Sequence, residues 1–585
     1  MGHWVRYYVL LILAILIASS SYLSWTSDQA MGKLTVQDFE IVRENGRSVT
    51  FSVYKARQFT YGKPMPVILT VHGISASREA MDAYTIELAR RNFTVVAIDL
   101  PGHGVSAETF GLDTFTEGVY DAYAAVRYVQ VNDTQADDTV YGVLGHSLGA
   151  GLARLFQNMP VRPASTVLIG GGMGQDFGAL LPAINETSPA NLLIASGVYD
   201  ELIPPAVAYD TLRDATGLSE VNAGHTYGNF TLGTARKLVF SSTNHLFEMS
   251  DPTIVSSSVD WLVRSLHGEE ALNHTLDSGD RIYHLKGIAT TVGATSVALS
   301  LFPVFVITYA LFPVRLRPSR YSSTHPQSGS GRTLLISLLI SALSGVVLLT
   351  VTLVGFGLDF AGLGLVPVSF GSTLILYSVI MSVAVTLILR KSLGSDAISI
   401  PRSLASPTGL KALGLELIKT GLLMVPVFLW LALWSWLPSL LGARFVLSVI
   451  FVGGGASTRT LTAIVLTVAF LPLFFVESRW IRLTADTDRG WKTPLELVKL
   501  TGLVLVHRMG GILILLAALY GPFLLGVQMG FVMFIALLML VFVLVIGLTA
   551  LLTLWMGVIA RNDLVPALLN ALLLAVVVAG TFQII

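Results

Sequence analysis

The stretch that decides the fold is Thr139-Val140-Tyr141-Gly142-Val143-Leu144-Gly145-His146-Ser147-Leu148-Gly149-Ala150. Its first half is apolar and partly β-branched, which is typical of a buried strand. Its second half is a Gly-x-Ser-x-Gly pentapeptide, and the run that follows, 150–156, favours a helix. In a sharp strand-to-helix turn, glycines two residues before and after the serine keep neighbouring backbones from clashing. The stretch therefore predicts that Ser147 is a nucleophile, whereas the alternative is an ordinary loop serine.

Strand-like runs recur through the first half of the chain. Five more apolar runs lie at 66–71, 93–98, 165–169, 191–195 and 236–240. Apolar strands that are bounded by Gly and Pro and separated by helical periodicity indicate a parallel α/β sheet. Binding sites of such sheets form at the carboxyl ends of the strands.

Two further motifs stand at predicted strand ends. Val71-His72-Gly73-Ile74-Ser75 closes one strand, and Asp99-Leu100-Pro101-Gly102-His103-Gly104-Val105-Ser106 closes the next. Together with the pentapeptide, they resemble the α/β-hydrolase superfamily over about residues 35–267. The resemblance implies an α/β-hydrolase fold, a mostly parallel sheet with flanking helices. It also implies an oxyanion hole made by the main-chain N–H groups of Ile74 and Leu148, with His72 shaping the loop rather than acting as a base.

The same resemblance implies that an acid and a histidine follow the serine in chain order. Asp200 follows a predicted strand in a turn that is similar to the acid turn of the family, and His245 follows the last strand. Asp176 is the competing acid. His225 is the competing base, although it lies before the last strand, where the family would not place it.

These residue types predict a specific chemistry. His245 would take the proton of the Ser147 hydroxyl and return it to the leaving group, while Asp200 would orient the imidazole and stabilise the imidazolium. Two main-chain N–H groups would stabilise the tetrahedral oxyanion. The reaction requires no metal and no organic cofactor.

The composition excludes several classes of protein. The chain has 585 residues, of which 53% are hydrophobic and 13% are charged, so it is not purely soluble. Residues 1–286 hold 19 Lys/Arg and 29 Asp/Glu, and the rest of the chain holds 18 and 8. The basic residues fall in short clusters between apolar runs, which excludes nucleic acid as a partner. With no cysteine, the chain has no disulfide, thiolate metal site or cysteine nucleophile.

About nine segments are apolar for long enough to cross a bilayer. They lie at 4–25, 287–312, 333–356, 366–389, 412–437, 459–476, 509–527, 531–558 and 564–583. The first is an uncleaved anchor or, alternatively, a signal peptide. The segment 493–507 is predicted to be an interfacial amphipathic helix or, alternatively, the start of a longer span.

Basic residues indicate how these spans are oriented. Clusters within 315–332, 390–411 and 479–508, and Arg561, lie in alternating connections, which the positive-inside rule places in the cytoplasm. Residues 30–286 are then extracytoplasmic. Five Asn-X-Thr sequons in that region fit a glycosylating compartment. They begin at Asn92, Asn132, Asn185, Asn229 and Asn273.

These patterns predict four parts of a multi-pass cell-membrane protein. They are an anchor at 1–29, a hydrolase domain at 30–270, a juxtamembrane linker at 271–286 and a helical membrane domain at 287–585. The general layout is similar to that of the GPI inositol-deacylases, without a shared motif beyond the fold.

The predicted site favours an acyl-lipid or lipidated substrate at the outer face of the bilayer. Ser147 and Asp200 are too close in sequence for a large cap domain, so the site is expected to be open. Candidates for substrate contact are His146, Phe177, Leu180, Leu181, Tyr227 and Phe230. Ordinary packing is the alternative role for the apolar members of this set.

Two other functions fit the same residues. The bond could be an amide or peptide, or the hydrolase domain could be a non-catalytic sensor on a transporter or receptor. Charged residues of the spans lie near predicted span ends, which favours anchoring or lipid presentation over transport. They are Asp359, Glu416, Lys419 and Arg561.

Overall fold

A computed structural model describes most of the chain. The described residues are 4–57, 64–171, 181–312, 316, 331–393, 407–440, 453–485, 493–527 and 529–585. They divide into two compact units. The helical unit comprises Met1–Ala18, Val292–Leu437 and Thr458–Ala579, and the sheet unit comprises Ser19–Thr291, Pro438–Ser457 and Gly580–Ile585.

The sheet unit is built on nine strands in the order β1-β2-β4-β3-β5-β6-β7-β9-β8. The strands are β1 Leu34–Val42, β2 Ser48–Ala56, β3 Met65–Val71, β4 Thr94–Ile98, β5 Ala136–His146, β6 Ser165–Ile169, β7 Leu192–Gly197, β8 Thr226–Tyr227 and β9 Arg236–Ser241. The six inner strands from β4 to β9 pair in parallel, as the apolar runs predict. β1, β2 and β8, which the sequence did not reveal, add antiparallel pairs at the two edges.

Helices flank the sheet in two hydrophobic clusters. Their bounds are α2 Asp82–Ala89, α3 Leu112–Asn132, α4 Leu148–Leu155, α5 Pro205–Thr216 and α6 Pro252–Leu262. α3, α4 and α5 pack in the cluster that holds Val67 and Leu69 of β3, whereas α2 and α6 pack in the cluster that holds Ile68. Successive residues of β3 therefore serve opposite faces, as the two-residue period of a strand requires.

Apolar helices lie at each of the nine predicted segments, although the last of them ends at Thr581 and not at residue 583. Among the described residues, nine helices are long and apolar enough to cross a membrane. They are α1 Val5–Asp28, α7 Tyr283–Leu311, α8 Gly331–Phe360, α9 Gly371–Leu393, α10 Pro407–Leu440, α11 Ala456–Ala485, α12 Pro494–Leu524, α13 Phe531–Ala560 and α14 Leu564–Thr581. α12 is continuous from a capping box at Thr493, so residues 493–507 and the predicted span that follows them form one helix, as the longer-span alternative expects. The interfacial position of residues 493–507 stays a prediction.

Buried ion pairs also join helices within this unit. Arg508, in the middle of α12, donates to both carboxylate oxygens of Glu477 on α11, at 2.6 and 3.0 Å. Arg482 donates to Asp563 at 3.1 Å. The basic cluster at 479–508 is therefore partly buried against acids, and charged residues are not confined to the ends of the spans.

Replacing Glu477 by Gln is expected to destabilise the helical unit. The substitution leaves the buried Arg508 guanidinium without its counter-charge, which costs about 3–5 kcal/mol. Thermal unfolding of the protein in detergent would show a lowered Tm. Glu416→Gln is the matched control, because Glu416 pairs with a partly exposed Lys419 at 3.1 Å and its loss costs about 0.5 kcal/mol. Equal Tm shifts for the two variants would contradict the prediction.

Candidate active site

Ser147 lies in a strained turn between β5 and α4. Its backbone has φ 54° and ψ −115°, a conformation that residues other than glycine rarely adopt. A Cβ on Gly145 would stand 2.1 Å from the carbonyl oxygen of Gly149, and a Cβ on Gly149 would stand 2.2 Å from that of Val71. Glycine is thus required on both sides of Ser147, for the steric reason that the sequence motif suggests.

The loop after β3 lies against this turn. A Cβ placed on Gly73 would stand 3.2 Å from the Cβ of Ser147, so the backbone next to Ile74 passes close to the serine. Leu148 is the first residue of α4, and its N–H therefore has no acceptor within the helix. The two predicted oxyanion donors thus belong to segments that meet at Ser147.

His72 has the structural role that the resemblance implies. Its Nε2 accepts a hydrogen bond from the Leu100 N–H at 3.1 Å, so the proton is on Nδ1, which donates to the Gly73 carbonyl at 2.7 Å. The ring is fully buried, and burial lowers the pKa of His72. His72 stays neutral and ties the β3 loop to the β4 loop.

Asp200 and His245 form a buried pair at the ends of β7 and β9. His245 Nδ1 and Asp200 Oδ2 are 2.9 Å apart. The other oxygen of Asp200 accepts from the N–H groups of Leu202 and Ile203, both at 2.8 Å. Burial opposes ionisation of Asp200, but the His245 charge and hydrogen bond, together with the two N–H donors, outweigh it and lower its pKa.

The turn that holds Ser147 is in direct contact with the loop that holds His245. His146, the residue before Ser147, places its Nε2 3.1 Å from the carbonyl oxygen of His245, and the two imidazole rings are 4.8 Å apart. The structure thus brings the loops of all three predicted catalytic residues to one edge of the sheet.

Comparison with known proteins identifies the fold of the sheet unit. Residues 68–279 match the profile of the alpha/beta hydrolase family. The sheet unit has the α/β-hydrolase fold. No curated protein matches the chain in sequence. The layout shared with the GPI inositol-deacylases stays a prediction.

Several solved structures are similar to the α/β-hydrolase domain. The esterase Pf2001 of Pyrococcus furiosus is 17% identical, covers 40% of this chain and 95% of its own, and has a TM-score of 0.30. A cold-adapted esterase from an Arctic intertidal metagenomic library is 19% identical, with coverages of 40% and 95% and a TM-score of 0.29. A thioesterase domain from the curacin biosynthetic pathway is 15% identical, with coverages of 39% and 99% and a TM-score of 0.27.

Glu248 is a site residue of the α/β-hydrolase domain that the sequence reasoning missed. Its Oε1 accepts from the Gly197 N–H at 2.6 Å, and its Oε2 lies 3.7 Å from His245 Nδ1. The side chain is fully buried, and burial together with the charge of Asp200 raises its pKa well above the usual value. The signal in the sequence was its position three residues after His245, in the short helix Phe247–Ser250 that follows the histidine.

His146 supports the His245 loop instead of lining an open pocket. Its side chain is buried, and burial and the neighbouring His245 lower the pKa of His146 to about 3. Its Nε2 also lies 3.4 Å from Glu248 Oε2. These contacts favour a supporting role over the predicted substrate contact. His146, His245 and Glu248 are close enough to coordinate an ion. His146 Nε2 and His245 Nδ1 already have hydrogen-bond partners, whereas Glu248 Oε2 is buried without one among the described residues.

The other predicted substrate contacts have packing partners or fall outside the described residues. Asp176, Phe177 and Leu180 lie outside the described residues. Leu181 belongs to the hydrophobic cluster around α3–α5, and Tyr227 packs against the same cluster. Phe230 packs edge-on against Trp261 at 4.7 Å. The competing base His225 is exposed and packs on Tyr227.

A cavity of about 490 Å³ lies beside the site in the same unit. Ser75, which follows Ile74, lines one side, and Leu246, which follows His245, lines another. Its surface is mostly apolar. Further lining residues are Ala80, Ala83, Phe247, Met249, Tyr283 and Gly287.

Proposed function

We propose that this chain is a membrane-bound serine hydrolase that cleaves a carboxylic ester through Ser147, His245 and Asp200. The observation that carries the proposal is the buried pair of Asp200 and His245, 2.9 Å apart, on loops adjoining a serine held at φ 54°. Geometry of this kind is what the nucleophile elbow and its acid–base partners require.

The mechanism follows from the hydrogen bonds. The Nδ1–H group of His245 donates a hydrogen bond to Asp200, so the free lone pair of the imidazole is on Nε2. Nε2 accepts the proton of Ser147 as Oγ attacks the ester carbonyl, and the N–H groups of Ile74 and Leu148 hold the resulting oxyanion. When the intermediate collapses, His245 transfers the proton to the departing alkoxide. Water, activated by His245, then releases the acid and restores Ser147.

The cavity supports an acyl ester as the substrate class. It is lined by Ser75 and Leu246, so an acyl chain bound there would lie next to the loops that hold Ile74 and His245. Its volume is in the usual range for small-molecule sites, and its surface is mostly apolar. The nine apolar helices found in the described part of the chain and the alternating basic clusters of the sequence support an acyl-lipid or lipidated substrate at the outer face of a membrane.

A fluorophosphonate probe and a series of p-nitrophenyl esters test this function on the full chain in detergent. We expect the probe to label Ser147, located by mass spectrometry, and the esters to be turned over. Labelling without ester turnover would favour an amide or peptide bond. A full chain whose Ser147 stays unlabelled would overturn the proposal and favour the sensor alternative.

Filling the cavity is expected to change the preference for chain length. A Cβ on Gly287 meets no atom within 4 Å, so Gly287→Phe can place its ring in the cavity without strain. We expect kcat/KM for long-chain esters to fall about 10-fold or more, because the lost apolar pocket contacts are of that magnitude. Acetate and butyrate esters should be hydrolysed within about twofold of the wild-type rate.

Gly414→Phe is the matched control for the cavity. Gly414 is also a helical glycine with open space around its Cβ, and it lies on α10, in the other unit. Its substitution should leave the chain-length profile unchanged. If Gly287→Phe lowered turnover of all chain lengths equally, the cavity would not be the acyl site.

A further inference from the structure

A segment distant in sequence packs against the loops of the active site. Ile584 donates its N–H to the Gly102 carbonyl at 2.8 Å and accepts from the Phe110 N–H at 2.7 Å. Phe582 and Ile584 are buried, and all of these residues belong to the sheet unit. The segment is therefore fixed on the loop after β4 by main-chain hydrogen bonds in both directions.

Gln583 reaches from this segment to the predicted oxyanion loop. Its side chain is fully buried, and its Oε1 accepts a hydrogen bond from the Ser75 hydroxyl at 2.8 Å. Ser75 directly follows Ile74, whose N–H is a predicted oxyanion donor. Whichever way the Gln583 amide is oriented, it can hydrogen-bond the Ser75 hydroxyl, because a hydroxyl both donates and accepts.

The backbone conformation of Ser75 is unfavourable and has to be held by neighbouring groups. Its φ is 55°, in the left-handed region that a side chain makes unfavourable. A residue in that conformation persists only where its surroundings hold it. Among the described residues, the amide nitrogen of Gln583 has no hydrogen-bond partner although it is buried. Burying that nitrogen is costly, so an apolar side chain would pack here at lower cost than Gln583 does.

We propose that Gln583 is a positioning residue for the oxyanion hole. It holds Ser75, and through Ser75 it keeps the Ile74 N–H aimed at the point where the oxyanion develops. This inference rests on the proposed serine-hydrolase function. It follows that residues 30–286 alone would lack part of the active site.

The test compares variants of the full chain in detergent with p-nitrophenyl esters. Gln583→Met keeps the length of the side chain and removes the hydrogen bond. We expect kcat to fall about 10-fold, less than the loss caused by deleting an oxyanion donor outright, with KM within about twofold. Ser75→Ala should have the same effect, and the double variant should be no worse, because both changes remove one shared hydrogen bond.

Gln130→Met is the matched control. Gln130 is also a buried glutamine, on α3, where its amide accepts from Arg127 at 2.7 Å and donates to the Asp137 carbonyl. This variant should keep kcat. The inference is overturned if kcat of Gln583→Met stays within twofold of wild type, or if Gln130→Met lowers kcat and Tm to the same extent.

The rate of labelling by the fluorophosphonate distinguishes failure of the inference from failure of the proposed function. The phosphonyl oxygen uses the same N–H donors, so Gln583→Met should slow labelling of Ser147 about as much as it lowers kcat. This readout needs no ester turnover. If the wild-type serine is never labelled, the proposed function fails and the inference fails with it. If labelling is fast in both proteins, only the inference fails.

Discussion

Ser147→Ala is expected to lower kcat for ester hydrolysis about 10⁶-fold, because a residue of a catalytic triad acts as one unit with its partners. The residual rate would come from the oxyanion donors and from substrate binding alone. The fold should be unaffected, since the Ser147 backbone strain is imposed by β5 and α4 and a methyl group is smaller than the hydroxymethyl group that it replaces. Steady-state kinetics with purified full chain would measure the loss.

Ser75→Ala is the matched control for that variant. It removes a hydroxyl from a neighbouring loop serine that is equally constrained at positive φ but is not the predicted nucleophile. Its effect should be about 10-fold. If Ser147→Ala retained more than a few per cent of the wild-type kcat, another nucleophile would have to be sought.

Asp200→Asn is expected to lower kcat about 10⁴-fold at neutral pH, because the amide stabilises the wrong tautomer of His245 and cannot balance the imidazolium. The environment of His245 makes the pH profile of this variant informative. A second carboxyl group, that of Glu248, has its Oε2 3.7 Å from His245 Nδ1 and 3.4 Å from His146 Nε2. Its Oε1 accepts a hydrogen bond from the Gly197 N–H at 2.6 Å. Burial and the charge of Asp200 raise the pKa of Glu248 well above its usual value, which favours its protonated form in the wild type.

Removing the charge of Asp200 removes one of the causes that raise the pKa of Glu248. In Asp200→Asn, Glu248 should therefore ionise at lower pH than in the wild type, and its carboxylate can then stabilise the His245 imidazolium. A raised pKa means that the charged form is present only above it, so the residual kcat should rise as the pH increases through that pKa. The measurement is kcat as a function of pH.

The double variant Asp200→Asn/Glu248→Gln is the control for this rise. It should show a low kcat without the increase, because no second carboxyl remains beside His245. Glu248→Gln alone should cost less than Asp200→Asn, since Asp200 makes the 2.9 Å contact with Nδ1. Identical pH profiles for the single Asp200 variant and the double variant would show that Glu248 does not replace Asp200 in stabilising the His245 imidazolium.

Local patterns in the sequence predicted much of this molecule. The apolar run at 66–71 is buried throughout, and the run at 139–144 is buried from Tyr141 onward, because the inner strands of a parallel sheet are covered on both faces. The candidate spans could be identified from the sequence because an uninterrupted run of about 20 apolar residues is the length needed to cross a bilayer and is uncommon in other structures. The steric role of the glycines around Ser147 also depends only on neighbouring residues, which explains why the elbow was predicted at the correct place.

Other features depend on contacts between distant residues. β1 and β2 owe their place to antiparallel pairing with each other and of β2 with β4. β1 is the edge strand and is largely exposed, so its sequence carries a weaker hydrophobic pattern. Leu181 and Phe230 were predicted to contact substrate, but the structure gives them packing partners, which apolarity alone does not distinguish from a pocket lining. Substrate contact by these residues stays a prediction.

The sequence by itself determined the six inner strands, the long apolar helices and the turn that holds Ser147, since these depend on short-range periodicity and turn sterics. Its resemblance to a known family supplied the candidate acid and base. The tertiary structure alone decided that Asp200 pairs with His245, that Glu248 is buried beside them and that Gln583 reaches Ser75 across 508 positions of sequence. The physical reason is that a hydrogen bond in a buried site requires positions set within a few tenths of an ångström. Only the packing of the whole sheet unit supplies that precision.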